Sequence, residues 1–333
     1  MIGPTITYIK IFDEPADITV NDETGAVYVS NIYGDMARID YVSPGNFTYG
    51  GTAKKALQIA GFEANSVNGN VYVSDEGLSS TLPPIDVYDE NLNFLSRLTG
   101  IPDIVGNWSA NSYFYKNNNE LYFPWKNTDA HTGGLVVVNA ATGMYKKNID
   151  TSVRGVNDTI YSITCARDLG FLFLANYNGW EVTPINTRLD EETPNIDLGH
   201  DNQPMGLAVD DKRHFLLVGV RKNLGYDGFS IDKYTALSHR PRGSIDLGSE
   251  DSTTIAVDNS NDVVYAVSNS GVKCYSLNDD SLVGEIKISN GQRIDLVPVI
   301  YFDERRNILY LLDGKAKGED SHLIVLDNSV VQK

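Results

Sequence analysis

An apolar triplet recurs along the 333-residue chain and constrains the fold more than any other feature. The central residues of successive copies are 44 to 51 positions apart. The seven copies are Val27–Val29, Val71–Val73, Leu121–Phe123, Leu172–Leu174, Leu216–Val218, Val264–Ala266 and Leu309–Leu311. Periods of about 40 to 50 residues are typical of solenoids, propellers and other repeat arrays. The secondary structure within one period therefore decides the architecture.

The sixth repeat shows the unit most clearly. It contains four β-rich runs separated by turn residues, namely Thr253–Asp258, Val263–Val267, Val272–Ser276 and Val283–Ile288. The first two runs are apolar at nearly every position, as strands covered on both faces require, whereas Glu285–Ile288 alternates like a half-exposed outer strand. Four meandering strands in one period are typical of a propeller blade. No amphipathic helix longer than two turns is expected, and Thr52–Ile59 is the best short candidate.

The seventh repeat lacks its outer strand. It stops after the third strand, His322–Asp327, and an N-terminal strand at about Thr5–Phe12 can complete it. Such an exchange closes the ring without leaving an unpaired edge. We therefore predict an all-β, seven-bladed propeller of four-stranded antiparallel blades, forming a single domain over 1–333. The predicted blades are 13–60, 61–100, 101–150, 151–199, 200–248, 249–289, and 290–333 together with 5–12.

Charge and cysteine content narrow the possible partners. With 27 basic and 44 acidic side chains the net charge is −17, which disfavours nucleic acid, and no apolar run is long enough for membrane insertion. The two cysteines, Cys165 and Cys274, cannot form a disulfide framework and are expected to be buried and inert. Met1–Lys10 lacks the features of a signal peptide. We expect a cytoplasmic protein, or one assembled into a virion or extracellular structure without a classical signal.

Two stretches, Asp17–Asn31 and Ile255–Asn269, resemble YVTN/NHL-type propeller repeats, and the resemblance extends over essentially the whole chain. Trp-Asp dipeptides are absent, which argues against the WD type. The resemblance implies a family that includes surface-layer and adhesive proteins, ligand-binding scaffolds, and a minority of lactonases and lyases. Because one fold hosts many activities, the resemblance alone does not assign a function.

For gluconolactonase-type propellers, the resemblance implies a divalent cation held over the channel by Glu, Asn and Asp side chains. Alignment of the seven first strands on their closing turns predicts the channel-mouth residues to be Asp17, Ala64, Ser112, Ile163, Gly206, Thr254 and Val299. One carboxylate does not make a cation site, so we expect no metal and no cofactor. Three acidic residues recur after first strands and are expected to cap the following turns, namely Asp210, Asp258 and Asp303.

The sequence offers no nucleophilic motif. None of the five histidines lies in a recognisable serine or cysteine motif, and G-x-S-x-G, P-loop and H-E-x-x-H patterns are absent. We therefore assign no catalytic residue. An enzyme using the central channel remains the alternative, because a one-residue error in the strand alignment could hide a carboxylate cluster.

Aromatic residues are concentrated in blades three to five. The three tryptophans, Trp108, Trp125 and Trp180, are predicted on one rim of the propeller. His131, Arg154 and Tyr226 belong to neighbouring loops of that rim. Exposed aromatic side chains beside polar groups can stack on sugar rings or anchor a protein partner. The alternative is that the tryptophans are wedged between blades as core residues.

Two hypotheses on function follow. In the first, the chain is a non-enzymatic structural or recognition module of a larger assembly, such as a phage tail, a capsid or a surface-exposed adhesive structure. Its partners would be proteins or neighbouring subunits, with surface glycans as a further option. In the second, it is a lactonase- or lyase-like enzyme that uses the central channel. A stoichiometric cation in the channel would favour the second hypothesis.

Overall fold

The computed structural model describes residues 4–31, 33–55, 59–75, 84–102, 104, 107–108, 111–127, 132–152, 160–249, 254–268, 271–288, 299–313 and 321–327. For 107, 108 and 152 it describes the backbone alone. The strands of this part of the chain form seven antiparallel sheets. Six of the sheets run from an inner to an outer strand in chain order, and the seventh adds the N-terminal strand to the last three strands. The protein is a seven-bladed β-propeller.

Strand β1 (Thr5–Lys10) belongs to the last blade, and the first three blades follow it along the chain. The first blade consists of β2 (Pro15–Val20), β3 (Ala26–Asn31), β4 (Asp35–Ser43) and β5 (Asn46–Lys54). The second consists of β6 (Ile59–Ala64), β7 (Val71–Asp75), β8 (Asp86–Tyr88) and β9 (Phe94–Arg97). The third consists of β10 (Asn107–Trp108), β11 (Tyr113–Tyr115), β12 (Glu120–Asn127), β13 (Thr132–Asn139) and β14 (Met144–Ser152).

The remaining blades repeat this order. The fourth consists of β15 (Ile160–Ala166), β16 (Phe171–Asn176), β17 (Glu181–Asn186), β18 (Glu191–Glu192) and β19 (Ile196–Asp197). The fifth consists of β20 (Gln203–Asp210), β21 (Phe215–Arg221), a 3₁₀ helix (Lys222–Gly225), β22 (Phe229–Thr235) and β23 (Pro241–Gly248). The sixth consists of β24 (Ile255–Asp258), β25 (Val263–Ser268), β26 (Gly271–Ser276) and β27 (Leu282–Lys287). The seventh consists of β28 (Ile300–Asp303), β29 (Ile308–Asp313) and β30 (His322–Asp327), completed by β1.

The ring is closed by the two ends of the chain. Strand β1 pairs with β30 in antiparallel register, from Thr5 opposite Asp327 to Lys10 opposite His322. This pairing makes β1 the outer strand of the last blade, as the sequence predicts. Ile6 and Tyr8 pack against the apolar cluster between the sixth and seventh blades, and Ile9 packs against the cluster between the seventh and first. Closure therefore adds apolar contacts on both sides of the blade.

The apolar triplets form the second strand of every blade, and all their residues are buried. Where the central residue is tyrosine, its hydroxyl can reach a backbone carbonyl in the next blade. Tyr28 Oη donates to Glu90 O at 3.0 Å, and Tyr72 Oη donates to Ala140 O at 3.3 Å. Tyr28 and Tyr72 thus fill the space between blades and keep their buried hydroxyls hydrogen-bonded.

The recurrent aspartates cap the turns that follow the first strands, as predicted. Asp210, Asp258 and Asp303 accept a backbone N–H three residues ahead, at 3.0 to 3.1 Å in each case. Their second oxygens also have partners, because Arg213 and Arg306 donate to Asp210 and Asp303 at 2.8 and 2.9 Å. All three carboxylates are therefore structural.

The short helix considered at Thr52–Ile59 is wrong. Residues 52–54 belong to β5 and Ile59 opens β6, while 56–58 lie outside the described residues. Pairing of Thr52 with Ala37 and of Ala53 with Met36 places this segment in the outer part of the first blade. Backbone pairing with β4 outweighs the local helical propensity. Within the described ranges, no helix is long and apolar enough to cross a membrane.

Candidate functional site: the central channel and the aromatic rim

The first strands of the seven blades surround a central channel of about 870 Å³. Each triplet's central residue is opposite a channel-lining position of the first strand. These positions are Thr19, Glu63, Tyr113, Thr164, Ala208, Ala256 and Tyr301. This ring of residues holds a carboxyl group and two phenols, so the channel is more polar than the sequence alignment suggested.

The predicted channel-mouth positions were partly wrong. Asp17, Gly61 and Ser162 occupy equivalent positions in their first strands. Each pairs with the residue that lies two positions after the centre of its triplet, namely Ser30, Ser74 and Ala175. Ala64 and Ile163 therefore do not belong to that ring, although both line the channel. The turns do not cause this error, because the spacing between first strand and triplet is the same in every blade: Thr19 is opposite Tyr28 just as Glu63 is opposite Tyr72. Alignment on the triplets, whose positions are unambiguous, would have identified Glu63.

Asp17 and Glu63 form an acidic pair in the channel wall. Asp17 Oδ1 accepts the Ile18 N–H at 2.8 Å, and Glu63 Oε1 accepts the Thr19 hydroxyl at 3.3 Å. Neither carboxyl forms an ion pair with a cationic side chain among the described residues. Burial raises the pKa of Asp17 to about 7. Burial, and then the charge of Asp17, raise the pKa of Glu63 well above its usual range.

Two tyrosines flank this pair. Tyr301 Oη donates to Asp22 Oδ1 at 2.8 Å, while Tyr113 forms a side-chain hydrogen bond with Arg167. Burial raises the pKa of both phenols, so both hydroxyls stay protonated at neutral pH. Arg167 interacts with the charge of Asp22 at the channel end formed by the first turns.

That end of the channel is bordered by charged side chains from three blades. Glu23 lies between Lys116 and Arg305, forming ion pairs with both, and Arg305 Nη1 is 2.9 Å from Glu23 Oε2. These two cations hold the pKa of Glu23 below its usual range. Because Glu23 and Arg305 are about half-exposed, this arrangement is a solvated border of the channel and not a buried ion pair.

The described residues do not assemble a metal site. Among them, no group of three or more His, Cys, Asp or Glu side chains is placed to hold a metal ion. Cys165, which lines the channel, and Cys274 are both buried, and burial raises the pKa of each thiol to about 12. Both are free cysteines, and thiols with this pKa are poor nucleophiles and poor metal ligands.

Trp125 was predicted to bind a partner at the rim, but it is a core residue. Its side chain is 5% exposed and packs with Leu121 and Val136. The indole N–H donates to Asn148 Oδ1 at 2.8 Å, so its polar atom is already paired. A Cβ at Gly134 would lie 2.9 Å from the indole nitrogen, which shows how closely the strands enclose the ring. The prediction of an exposed indole at Trp125 is therefore wrong.

Trp180 and Tyr226 are accessible. Trp180 is partly exposed, and its ring centroid is 4.1 Å from that of His200, whose Nδ1 lies 2.7 Å from Asp201 Oδ2. Tyr226 follows the 3₁₀ helix and is 85% exposed. That helix is fixed to the same rim, because Leu224 N donates to Asp201 O at 2.9 Å. The loops thus connect Trp180, His200 and Tyr226 at the junction of blades four and five.

The other predicted rim residues cannot be placed in this group. The backbone of Trp108 pairs with that of Trp125 at the inner edge of the third blade, but its side chain is outside the described part. His131 and Arg154 also lie outside the described residues.

Sequence reasoning missed a second aromatic contact on this rim. Tyr161, which lines the channel, stacks on Tyr177 with ring centroids 5.2 Å apart. Tyr177 begins the four-residue turn that ends at Trp180. Burial raises the pKa of Tyr161 to about 12, with a partial opposing effect of nearby Arg221. Aromatic side chains therefore extend from the channel to the outer rim of blades four and five.

The fold defines the class of protein: a seven-bladed β-propeller. The chain is similar to the solved structure of U3-55K, with 14% identity, a TM-score of 0.71, and coverage of 98% of this chain and 100% of that one. It is equally similar to the WD40 repeats of RRP9, with 14% identity, a TM-score of 0.71, and coverage of 98% and 99%. At this identity the likeness shows the fold alone, and the YVTN/NHL type remains a prediction. No known protein family matches the chain, and neither does any curated protein.

Proposed function

We propose that this propeller is a non-enzymatic recognition module that binds a protein partner through one rim. The binding surface, here called the aromatic rim, consists of Trp180, His200, Leu224 and Tyr226. The observation that carries the proposal is the exposure of Tyr226, at 85%, next to a chain segment that also exposes Leu224, at 42%. Large side chains presented in this way are the usual anchors of protein interfaces.

The backbone of the aromatic rim supports the proposal because hydrogen bonds between its loops fix its conformation. Trp180, Asp201, Asn223 and Leu224 all have positive φ values, between 45° and 65°. Residues other than glycine keep such conformations only where their surroundings fix them. Here Asn223 N donates to Asn202 Oδ1 at 3.1 Å, in addition to the Leu224–Asp201 hydrogen bond. A preformed surface loses less conformational entropy when a partner binds.

The chemistry of the rim favours a protein over a glycan. A stacking platform for sugar rings needs accessible aromatic faces, but the Trp180 ring is already in contact with His200. Tyr226 and Leu224 instead offer a mixed aromatic and aliphatic contact, which suits an apolar side chain of a partner.

A photo-crosslinking experiment tests the proposal. A benzophenone amino acid is placed at position 226 of the full chain in the source cells, and at position 237 as a matched control. Leu237 is 64% exposed and belongs to a turn between the third and fourth strands of blade five. We expect a discrete crosslinked protein from position 226 alone, identified by mass spectrometry.

Binding of that identified partner is then measured with purified proteins. Tyr226→Ala should weaken binding by about 2 kcal/mol, and Leu237→Ala should leave it unchanged. Both variants should melt at the parent temperature. Equal losses for the two variants would reject the aromatic rim, and retention on a glycan array without any protein crosslink would reject a protein partner.

We further propose that the module spans 1–333 as a single domain with repeats of YVTN/NHL type, and acts in a virion or a surface-exposed adhesive assembly. The net charge of −17 and the lack of nucleophilic motifs support a structural setting. Native mass spectrometry of material purified from the source would test this. A stable complex with other chains is expected, and a lone monomer would contradict it.

The alternative function, a lactonase- or lyase-like enzyme, can be tested at the acidic pair of the channel. Asp17 and Glu63 are two carboxyl groups in the channel, where a lactonase-type cation would bind. Calcium should stabilise the protein against thermal unfolding if the alternative is correct, and Glu63→Gln should abolish that effect. We expect no shift with calcium, because the described residues offer no third acidic or histidine ligand.

A further inference from the structure

The acidic pair in the central channel has no ion-pair partner among the described residues. Asp17 accepts one backbone hydrogen bond, and Glu63 accepts one from Thr19 and one from the Phe114 backbone N–H. The charge of Asp22 also acts unfavourably on Glu63, whereas Arg167 interacts with Asp22 and Tyr113. Two carboxyl groups that interact in a channel wall without an ion-paired cation ionise unfavourably, so a ligand that brings positive charge would stabilise their ionised forms.

The size and the walls of the channel indicate which kind of cation the acidic pair would bind. A volume of about 870 Å³ far exceeds the space that a metal ion requires and is in the range of small-molecule sites. The described residues also lack the three-ligand cluster that a metal ion would need. Tyr113 and Tyr301 line the channel, and the charge of Glu63 acts on both phenols, which places both rings near the acidic pair. Aromatic rings next to carboxylates are the usual surroundings of a bound organic ammonium group.

We propose that the central channel is a binding site for a small organic amine in its protonated form. Asp17 and Glu63 provide the negative charge by losing their protons as the ammonium group binds, and Thr19 orients the Glu63 carboxyl through its hydroxyl. Tyr113 and Tyr301 cover the alkyl part of the ligand. This site is separate from the aromatic rim and does not depend on a partner binding there.

Isothermal titration calorimetry with 1,5-diaminopentane tests the proposal on the full chain. The uncharged 1,5-pentanediol has a similar shape and serves as the ligand control. We expect saturable binding of the diamine and no binding of the diol. Asp17→Asn and Glu63→Gln should each weaken diamine binding by about tenfold or more, because each removes one anionic partner.

A charge-matched variant controls for the general acidity of the protein. Glu191 is an exposed carboxylate of the outer strand of blade four, and Glu191→Gln should leave diamine binding unchanged. Circular dichroism and thermal melting establish that all three variants are folded. Equal binding of the diol, or equal affinities of the parent, Asp17→Asn and Glu63→Gln, would overturn the proposal. Stoichiometric calcium binding that depends on Glu63, with no amine binding, would also overturn it in favour of a metal site.

Discussion

The Lys55 ammonium lies 2.8 Å from Asp75 Oδ1 in the interior of the second blade, where the Lys55 side chain is only 4% exposed. Asp86 Oδ2 is 2.9 Å from the same nitrogen, and Arg97 is 3.0 Å from the other oxygen of Asp86. Burial raises the pKa of Asp75, and Lys55 opposes that effect. Lys55 follows the last strand of the first blade, and its N–H donates to Gly34 O. The buried cation therefore links two consecutive blades.

Removal of this cation should destabilise the fold. Lys55→Met leaves Asp75 without its charged partner, and we expect a loss of about 3–5 kcal/mol in the free energy of unfolding. Its neighbour is the control, because Lys54 pairs with Asp35 at 2.8 Å but is 65% exposed. Lys54→Met should change stability by less than about 1 kcal/mol. Urea denaturation measures both, and similar values for the two variants would contradict the role assigned to Lys55.

Deletion of 1–10 should open the ring. The deletion removes β1, leaves the edge of β30 unpaired, and exposes the apolar surface covered by Ile6 and Ile9. Full burial of an isoleucine stabilises by roughly 1.5–3 kcal/mol, and the partly buried Ile6 and Ile9 contribute a fraction of that in addition to the lost strand pairing, so a clear fall in melting temperature is expected. Differential scanning calorimetry provides the measurement, with Thr5→Ala, an exposed position of β1, as a control. A deletion variant that melts at the parent temperature would show that β1 does not hold the blade together.

Asp17 should make stability depend on pH in a predictable direction. Its pKa is about 7 in the folded protein against a usual 3.8, so the folded state retains a proton that the unfolded state loses between these values. Stability therefore falls as the pH rises from about 4 to about 7, and the loss is complete above that range.

The matching experiment compares the parent with Asp17→Asn at pH 5 and pH 8. The variant lacks the titrating group, so its stability advantage should grow between these two values. Between pH 5 and pH 8 only the range from 5 to about 7 contributes, about two pKa units, so the advantage should grow by at most about 3 kcal/mol at about 1.4 kcal/mol per unit. Urea denaturation at each pH gives the difference, and an advantage that shrinks at pH 8 would contradict the assignment.

Both thiols should be inert in the folded state. Cys165 and Cys274 are 4% and 0% exposed, and burial raises the pKa of each. An aromatic disulfide reagent at pH 8 should react with neither thiol in the native protein. It should react with both thiols once the protein is unfolded in about 6 M guanidinium chloride. Rapid reaction of Cys165 in native protein would mean that reagents reach it through the channel, and Cys165→Ser would identify the site.

The sequence by itself determined the number of blades, the strand order and the closure. These follow from local patterns: seven apolar triplets at nearly constant spacing, turn residues between strands, and one outer strand missing at the C-terminus but present at the N-terminus. The sequence also predicted that Cys165 and Cys274 are buried and that Asp258 caps a turn, because each of these roles depends on the position of the residue within a repeat.

Only the tertiary structure decided which side chains meet across blades. Asp17 and Glu63 are neighbours because pairing with β3 and β7 sets the register of two first strands and the packing of the two blades brings those strands together, which no pattern within one repeat shows. Trp125 and Trp180 are both rim candidates in the sequence, yet Trp125 is enclosed against Gly134 and Asn148 while Trp180 lies at the surface against His200. Burial of a side chain depends on what the adjacent strands and blades place around it, and no periodicity within one repeat contains that information.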